Sequence, residues 1–401
     1  MNCRRGSLAN TWSMSNSSRQ RPATVTDRSS RHKQWRTLDS LRLSDPLNEG
    51  DSLRSRGASN WRVLQSPLLV WICGPVAAFA GTSHPLSPTN IFTPESTPAK
   101  TIFGLSLFVL AVTGAIFLVV FSLLLYSVVK FRKKENDDGR EPPQVYGSNQ
   151  VELAWTILPI LIVVALFMAT ARVIAIVQKT SPPSNAIAVT AIGHQFWWEY
   201  RYPDLGVVTA NELHVPVSDP VHPTPTFITL LSVDTDHSFW VPRLAGKTDL
   251  IPNHPNSMWI DPQETGVYLG QCAQYCGTQH AKMLLRVYVQ SKNEFDRWIQ
   301  EQRQPAFVND AVSQGQRIFE TTACINCHTV SGTAANGRFG PDLTHLMSRD
   351  TIAAGAAPNT PENLRLWIRN PDAIKPGSLM PAMQLNEQEL DALTAYLETL
   401  R

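Results

Sequence analysis

Cysteine is sparse in this chain of 401 residues: of six, Cys3 and Cys73 stand apart, and the other four form two close pairs, Cys272 with Cys276 and Cys324 with Cys327. Once the first 80 residues are set aside, none is left over for a separate structural disulfide, so a disulfide-stapled scaffold is excluded. Charge is sparse as well, at 17% of residues, with none from Thr101 to Val129 and none from Leu153 to Ala171. Such gaps are inconsistent with a chain lying wholly in water, because about 20 apolar residues suffice to cross a bilayer core. A sustained basic surface is also missing. The net charge is +2, and residues 1–62 alone hold twelve Lys or Arg against five Asp or Glu. Residues 63–80 carry no charge, so the remainder from residue 81 is formally +2 less +7, or −5. The basic balance belongs to the start of the chain, and nucleic acid is not an expected partner.

What is present divides into four stretches. Residues 1–80 read as a Ser-rich basic leader followed by a signal peptide, with an apolar run from Pro67 to Ala80 that ends in Ala78-Phe79-Ala80 before Gly81. Residues 81–180 read as a membrane hairpin, with helices over about 101–129 and 153–177 and Pro159 tolerated inside the second. The cluster Lys130-Phe131-Arg132-Lys133-Lys134 marks the cytoplasmic loop, which places everything beyond Val177 on the outer face. Residues 181–304 show short strands broken by Pro, Gly and Asp, such as Ala186–Ala191 and Thr226–Leu231, as in an all-β sandwich closed by a helix over Asn293–Arg303. Residues 305–401 form a second module. An amphipathic helix over Gly315–Thr321, a tight turn at Gly340–Leu343 and a last helix over Asn386–Leu400, opened by Asn386-Glu387-Gln388-Glu389, make it all-α.

Each outer module carries one dense motif. In the sandwich, the stretch from Gln271 to Met283 places Cys272, Cys276, His280 and Met283 within thirteen residues, and His237 lies upstream in His-Ser-Phe-Trp. Thiolate and thioether are soft donors that suit copper, with His, Cys and Met the usual electron-transfer set. A disulfide would use the two cysteines and a Cys2His2 zinc site four of these residues, and either would leave Met283 as packing. In the second module, Cys324-Ile325-Asn326-Cys327-His328 is the c-type haem attachment motif, although a redox dithiol or a zinc half-site has the same spacing. Met380, directly before Pro381, is the first choice of axial partner for His328 and Met383 the second. Met347 reads as packing, and His345 would require bis-His ligation.

Cys-x-x-x-Cys-Gly-x-x-His-x-x-Met preceded by His-Ser-Phe-Trp resembles the dinuclear copper centre, CuA, of cytochrome c oxidase subunit II. With the haem motif downstream, the stretch from about Gly81 to Arg401 is similar to the caa-type haem-copper oxidases, where a subunit II carries a cytochrome c. The resemblance implies a multidomain fold of a two-helix transmembrane hairpin, a cupredoxin-like sandwich and a class I cytochrome c domain. It implies that Cys272 and Cys276 bridge two coppers, that His237 and His280 cap one each, and that Met283 and the backbone oxygen of Gln274 are weak outer ligands. Many relatives have Glu at position 274, where its carboxylate binds magnesium; with Gln274 the magnesium site is doubtful.

Two further assignments follow from the resemblance. Glu152, at the start of the second helix, matches the residue at the mouth of a proton path, although a lone acid there is also an ordinary helix-dipole partner. Phe196, Trp197 and Trp198 lie in the aromatic stretch through which electrons reach CuA; strand alternation would set Phe196 and Trp198 on one face and Trp197 on the other.

Neither cysteine motif is accompanied by an activated nucleophile, a base pair or an open position for substrate, so the chain reads as an electron relay. Its implied partners are oxidase subunit I and the other oxidase subunits, the membrane, and a donor that is either soluble cytochrome c or a quinol-oxidising complex. The expected location is the bacterial inner membrane, with both redox modules outside the cytoplasm. A CuA-containing nitric oxide reductase subunit, or a membrane-anchored carrier that is not part of an enzyme, would use the same motifs.

Overall fold

A computed structural model describes residues 90–401 apart from 134–138, 140, 142, 145, 179–180, 220 and 308–309. The leader and signal peptide expected over residues 1–80 lie outside the described residues.

Two long apolar helices come first, α1 (Thr97–Lys130) and α2 (Asn149–Val177), and they pack on each other. Each begins about four residues before its uncharged run, because Pro98 sits comfortably in the first turn of α1 and Ser148 precedes α2 as N-cap. Pro159 does not break α2. Apart from the first turn of α1, most of their apolar side chains are left uncovered: Leu110, Phe117, Leu124, Leu153, Leu161 and Phe167 are all exposed. Such surfaces need a bilayer.

The helices are fastened to the sandwich at one end. Asp261 accepts hydrogen bonds from Ser96 Oγ and from the Thr97 N–H, each at 2.7 Å, which satisfies an orphan donor in the first turn of α1. Arg243 pairs with Glu95 at 2.9 Å beside it, and Trp259 Nε1 donates to the carbonyl of Val177 at the end of α2.

The sandwich comprises β1 (Ile187–His194), β2 (Trp197–Tyr202), β3 (Val207–Ala210), β4 (Glu212–Pro216), β5 (Thr226–Ser232), β6 (His237–Trp240), β7 (Thr248–Leu250), β8 (Asn256–Ile260), β9 (Gly266–Cys272) and β10 (Leu284–Gln290). One sheet runs β3-β2-β1-β5-β8 and the other β4-β10-β9-β6-β7; β1/β5 and β4/β10 are parallel, the remaining pairs antiparallel. Alternating apolar residues from both sheets meet between them, including Trp198, Tyr200, Leu213, Ile228, Phe239 and Val287, all fully buried. Each such side chain contributes roughly 1.5–3 kcal/mol by leaving water. Trp198 meets Phe239 edge-on at 5.7 Å, and α3 (Lys292–Gln302) closes the sandwich with Phe295 and Trp298.

The last module holds α4 (Ser313–Thr321), α5 (Cys324–Cys327), α6 (Pro361–Arg369), α7 (Pro371–Ile374) and α8 (Glu387–Leu397), with a two-residue hairpin of β11 (Thr351–Ile352) and β12 (Ala357–Pro358) as its one non-helical addition among the described residues. Helices α4 and α8 cross so closely that a Cβ on Gly315 would lie 2.0 Å from the Ala392 carbonyl oxygen. The capping run before α8 is a complete capping box between Asn386 and Glu389. Where a tight turn was expected at Gly340–Leu343, the chain only bends at Phe339-Gly340, because its hydrogen bonds run outward: Gly340 N donates to Cys327 O, and Leu343 N to Thr329 O.

Candidate metal centre and cofactor cleft

The fold brings three separated segments to one corner of the sandwich. Cys272 ends β9, His237 begins β6, and the loop between β9 and β10 folds back through a single 3-10 turn at His280–Lys282. Backbone hydrogen bonds from Cys272 N to Met283 O and from Ala273 N to Ser238 O lock the loop against its neighbours. Cys272 Sγ then lies 3.8 Å from His237 Nδ1, 3.9 Å from Cys276 Sγ and 3.1 Å from the Gln274 carbonyl oxygen. Cys276 Sγ in turn lies 3.7 Å from His280 Nδ1 and 3.8 Å from Met283 Sδ. The expected side-chain donors and the Gln274 carbonyl oxygen thus sit in one linked cluster, and the Gln274 side chain is exposed.

Both thiols are buried and free, which removes the disulfide reading in this structure. Met283 is fully buried with its sulfur turned to Cys276, so the thioether joins the donor set as well as packing. The donor set of two thiols, two imidazole nitrogens and a thioether is soft throughout, and it fits copper better than a four-donor zinc tetrahedron.

Charge in the cluster is arranged for deprotonated sulfur. The hydrogen bond from Cys276 holds Cys272 down at about 3, with further help from His237. Cys276, beside that thiolate and buried, is held well above the ordinary thiol range. The first proton therefore leaves readily, and the second leaves when a cation replaces it. Burial opposes charge on His237, yet its hydrogen bond to Asp234 and its contact with Cys272 raise its pKa overall. His237 Nε2 donates to Asp234 Oδ1 at 2.8 Å, which keeps Nδ1 turned to the sulfurs. Asp234 was not singled out from the sequence, although its position three residues before His237 was a usable signal.

The aromatic stretch borders this cluster. Gln195 and Phe196 form a turn and β2 begins only at Trp197, so strand alternation does not reach Phe196, because Gln195 is drawn out of the ladder to bridge two neighbours. Its backbone N–H donates to Asp234 Oδ2 and its Nε2 to the Cys276 carbonyl, each at 2.6 Å. Phe196 lies against Gly277, where φ is +131° and an added Cβ would lie 3.0 Å from the ring. Trp198 is in the sandwich core, 6.1 Å from the His237 ring. Trp197 is half-buried and stacks on His194 at 4.1 Å, while His194 is hydrogen-bonded to Glu199.

The far side of the same turn lines an open-mouthed cleft. Gln195, Phe196 and Trp197 form one wall, and Cys324, Cys327 and His328 another. His328 Nδ1 is held at 2.8 Å by the Pro341 carbonyl, which it serves as donor, leaving Nε2 for a ligand. Burial lowers the pKa of this imidazole, so it is neutral and able to coordinate. Met380 and Met383 both line the cleft. His345 does not; its Nε2 meets the Gln304 carbonyl at 3.0 Å, away from the lining.

Two features show what would fill the space. The walls are largely apolar, which suits a macrocycle, and Arg349 is buried at the cleft with no hydrogen-bond partner on Nε. Its Nη2 donates to the Asp342 carbonyl at 2.6 Å, and the buried N–H left on Nε calls for an acceptor such as an acidic group on the ligand. Covalent attachment through two thiols, a neutral His and a thioether together fit haem.

Glu152 lies apart from both sites, exposed in the first turn of α2. Its position satisfies the helix dipole, and no other assigned site residue approaches it.

Comparison with known proteins gives three family matches along the chain: cytochrome C oxidase subunit II, transmembrane domain, over residues 87–172; cytochrome C oxidase subunit II, periplasmic domain, over 211–290; and cytochrome c over 312–401. Cytochrome c oxidase subunit 2 of Alkalihalophilus pseudofirmus is 34% identical over 317 residues, covering 77% of this chain and 90% of that one. The subunit of the same name from Bacillus sp. strain PS3 is 32% identical, covering 68% and 80%. The crystal structure of the periplasmic domain of subunit II of cytochrome oxidase from Bradyrhizobium japonicum aligns at 26% identity and TM-score 0.29, over 31% of this chain and 97% of that one.

Proposed function

Because the chain belongs to the cytochrome c oxidase subunit II family, with a cytochrome c domain at its C-terminal end, we propose that it relays electrons from an external donor to the oxygen-reducing subunit I. In this reading Cys272, Cys276, His237, His280 and Met283, with the Gln274 carbonyl, would hold dinuclear CuA. Cys324 and Cys327 would hold one haem covalently, and His328 and Met380 would ligate its iron. The two groups would supply one-electron transfer.

The protein's own residues do the rest. Asp234 orients the His237 imidazole and Pro341 that of His328, burial excludes water from the sulfurs, and Arg349 would meet an acidic group of the haem. The observation that carries the relay is the turn at Gln195–Trp197: it lines the cleft that ends at Cys324 and Cys327, and it is hydrogen-bonded to Cys276. Phe196, against Gly277, is then the ring that separates the two groups most directly. The implied location is the bacterial inner membrane, with the Thr97 end of α1 and both redox modules outside. The module boundaries proposed are residues 81–180, 181–304 and 305–401, with glutamate Glu152 at the mouth of a proton path into subunit I.

Oxygen uptake by membranes carrying the assembled oxidase, driven by a reduced one-electron donor, tests this function. Cys272→Ser and Cys327→Ala should each abolish uptake while the chain stays assembled with subunit I. Full uptake in both variants, or a chain recovered free of any other oxidase subunit, would overturn the relay.

A further inference from the structure

A buried ammonium stands beside the copper loop and lines the cleft without belonging to either ligand set. Lys375 follows α7 and is 3% exposed, yet no carboxylate accepts from it. Its Nζ donates to three backbone carbonyls instead: Phe196 at 2.7 Å, Lys282 at 2.8 Å and Ala353 at 3.1 Å. Three acceptors match the three N–H groups of an ammonium and exceed the two of a neutral amine.

Those carbonyls come from three different segments. Phe196 belongs to the turn that walls the cleft, Lys282 directly precedes Met283, and Ala353 follows β11 of the C-terminal module. One side chain from that module is thus threaded between the copper loop and the cleft wall. Around it, Lys282 Nζ donates to the Ile374 carbonyl at 2.8 Å, and Leu284 N donates to Ala354 O at 3.1 Å. At another edge of the same contact Glu212 accepts from the N–H and hydroxyl of Thr351 and from the Asp350 N–H.

Burying a cation with no carboxylate partner is expensive, and an apolar side chain would join the modules at lower cost. The cost is understandable if charge and register both matter at this point. We propose that Lys375 is a positioning residue for internal electron transfer: it fixes the cytochrome c module against the Phe196 turn and the copper loop, and it keeps a positive charge in the wall between the two sites. The proposal rests on the relay reading. A positive charge there stabilises the reduced form of either neighbouring group, through a low-dielectric wall in which Coulomb interactions are strong.

The test uses the full-length chain in detergent, haem-matured and copper-loaded, as wild type, Lys375→Met and Lys375→Arg. Photoreduction of the haem followed at the copper band should show transfer slowed by on the order of tenfold to a hundredfold in Lys375→Met, as small misplacements produce. The copper midpoint potential should fall in Lys375→Met and be held in Lys375→Arg, a split that a purely structural role would not give. In copper-free protein, hydrogen exchange at the Leu284 amide should quicken in Lys375→Met, with the β1–β2 amides unchanged. Unaltered transfer, potential and exchange in Lys375→Met would overturn the proposal, as would equal potentials in the Met and Arg variants. A wild-type protein lacking haem-to-copper transfer would instead overturn the relay reading itself, and this proposal with it.

Discussion

Asp234 and His237 are joined by a 2.8 Å hydrogen bond that turns the imidazole so that Nδ1 faces Cys272 Sγ at 3.8 Å. The carboxylate touches no sulfur, yet it decides which nitrogen is offered to a metal. Removing it in Asp234→Ala should weaken copper binding by about 10–100-fold, as loss of such partners does elsewhere. Copper titration against a competing chelator measures this. Unchanged affinity would mean that packing alone orients the ring.

Met283 is fully buried and its sulfur lies 3.8 Å from Cys276 Sγ. Met283→Leu conserves volume and should cost less than about 1.5 kcal/mol of stability. It should keep copper bound while changing the visible and paramagnetic spectra, because a weak ligand is lost. Identical spectra would return Met283 to core packing.

In the C-terminal module, a Cβ on Gly340 would lie 2.5 Å from His328 Cε1. Gly340→Ala should therefore displace the imidazole and lower the fraction of chain carrying covalent haem, with copper binding untouched. Mass spectrometry of the intact chain reads that fraction directly.

His214 gives the sandwich a pH dependence. It is stacked between Tyr288 and Trp298, its Nδ1 meets Gln290 Oε1, and burial pushes its pKa down to about 4 against the raising effects of Gln290 and Asp350. A depressed imidazole pKa means that the unfolded chain binds the extra proton first, so stability is full above about 6.5 and is lost as pH falls towards 4. The loss is about 3 kcal/mol for a shift of this size. Thermal unfolding of wild type against His214→Gln between pH 7 and 4 should show a steeper decline in the wild type.

Much of this molecule was legible in its sequence, for identifiable reasons. The uncharged runs announced α1 and α2, and the capping run at Asn386 announced α8, since both signals are local. The clustered side-chain donors were legible because Cys272, Cys276, His280 and Met283 lie within thirteen residues and His237 heads a strand beside them. Phe196 was misplaced in a strand because its turn is held by hydrogen bonds from the Gln195 N–H to Asp234 and from the Gln195 side chain to the Cys276 carbonyl, contacts 39 and 81 residues away in sequence. Lys375 and Arg349 were invisible for a related reason. Each looks like an ordinary surface cation until another segment closes over it, and in Lys375 that segment lies in a different module.

The most direct test of the relay is the pair of optical and paramagnetic spectra of the full-length chain, haem-matured and copper-loaded. The account predicts a reduced c-type α band together with the hyperfine pattern of two coppers sharing one unpaired electron, the second signal disappearing in Cys272→Ser and the first persisting. A haem band accompanied only by zinc, or by a disulfide between Cys272 and Cys276, would contradict it and leave a membrane-anchored cytochrome c beside a sandwich with no copper centre.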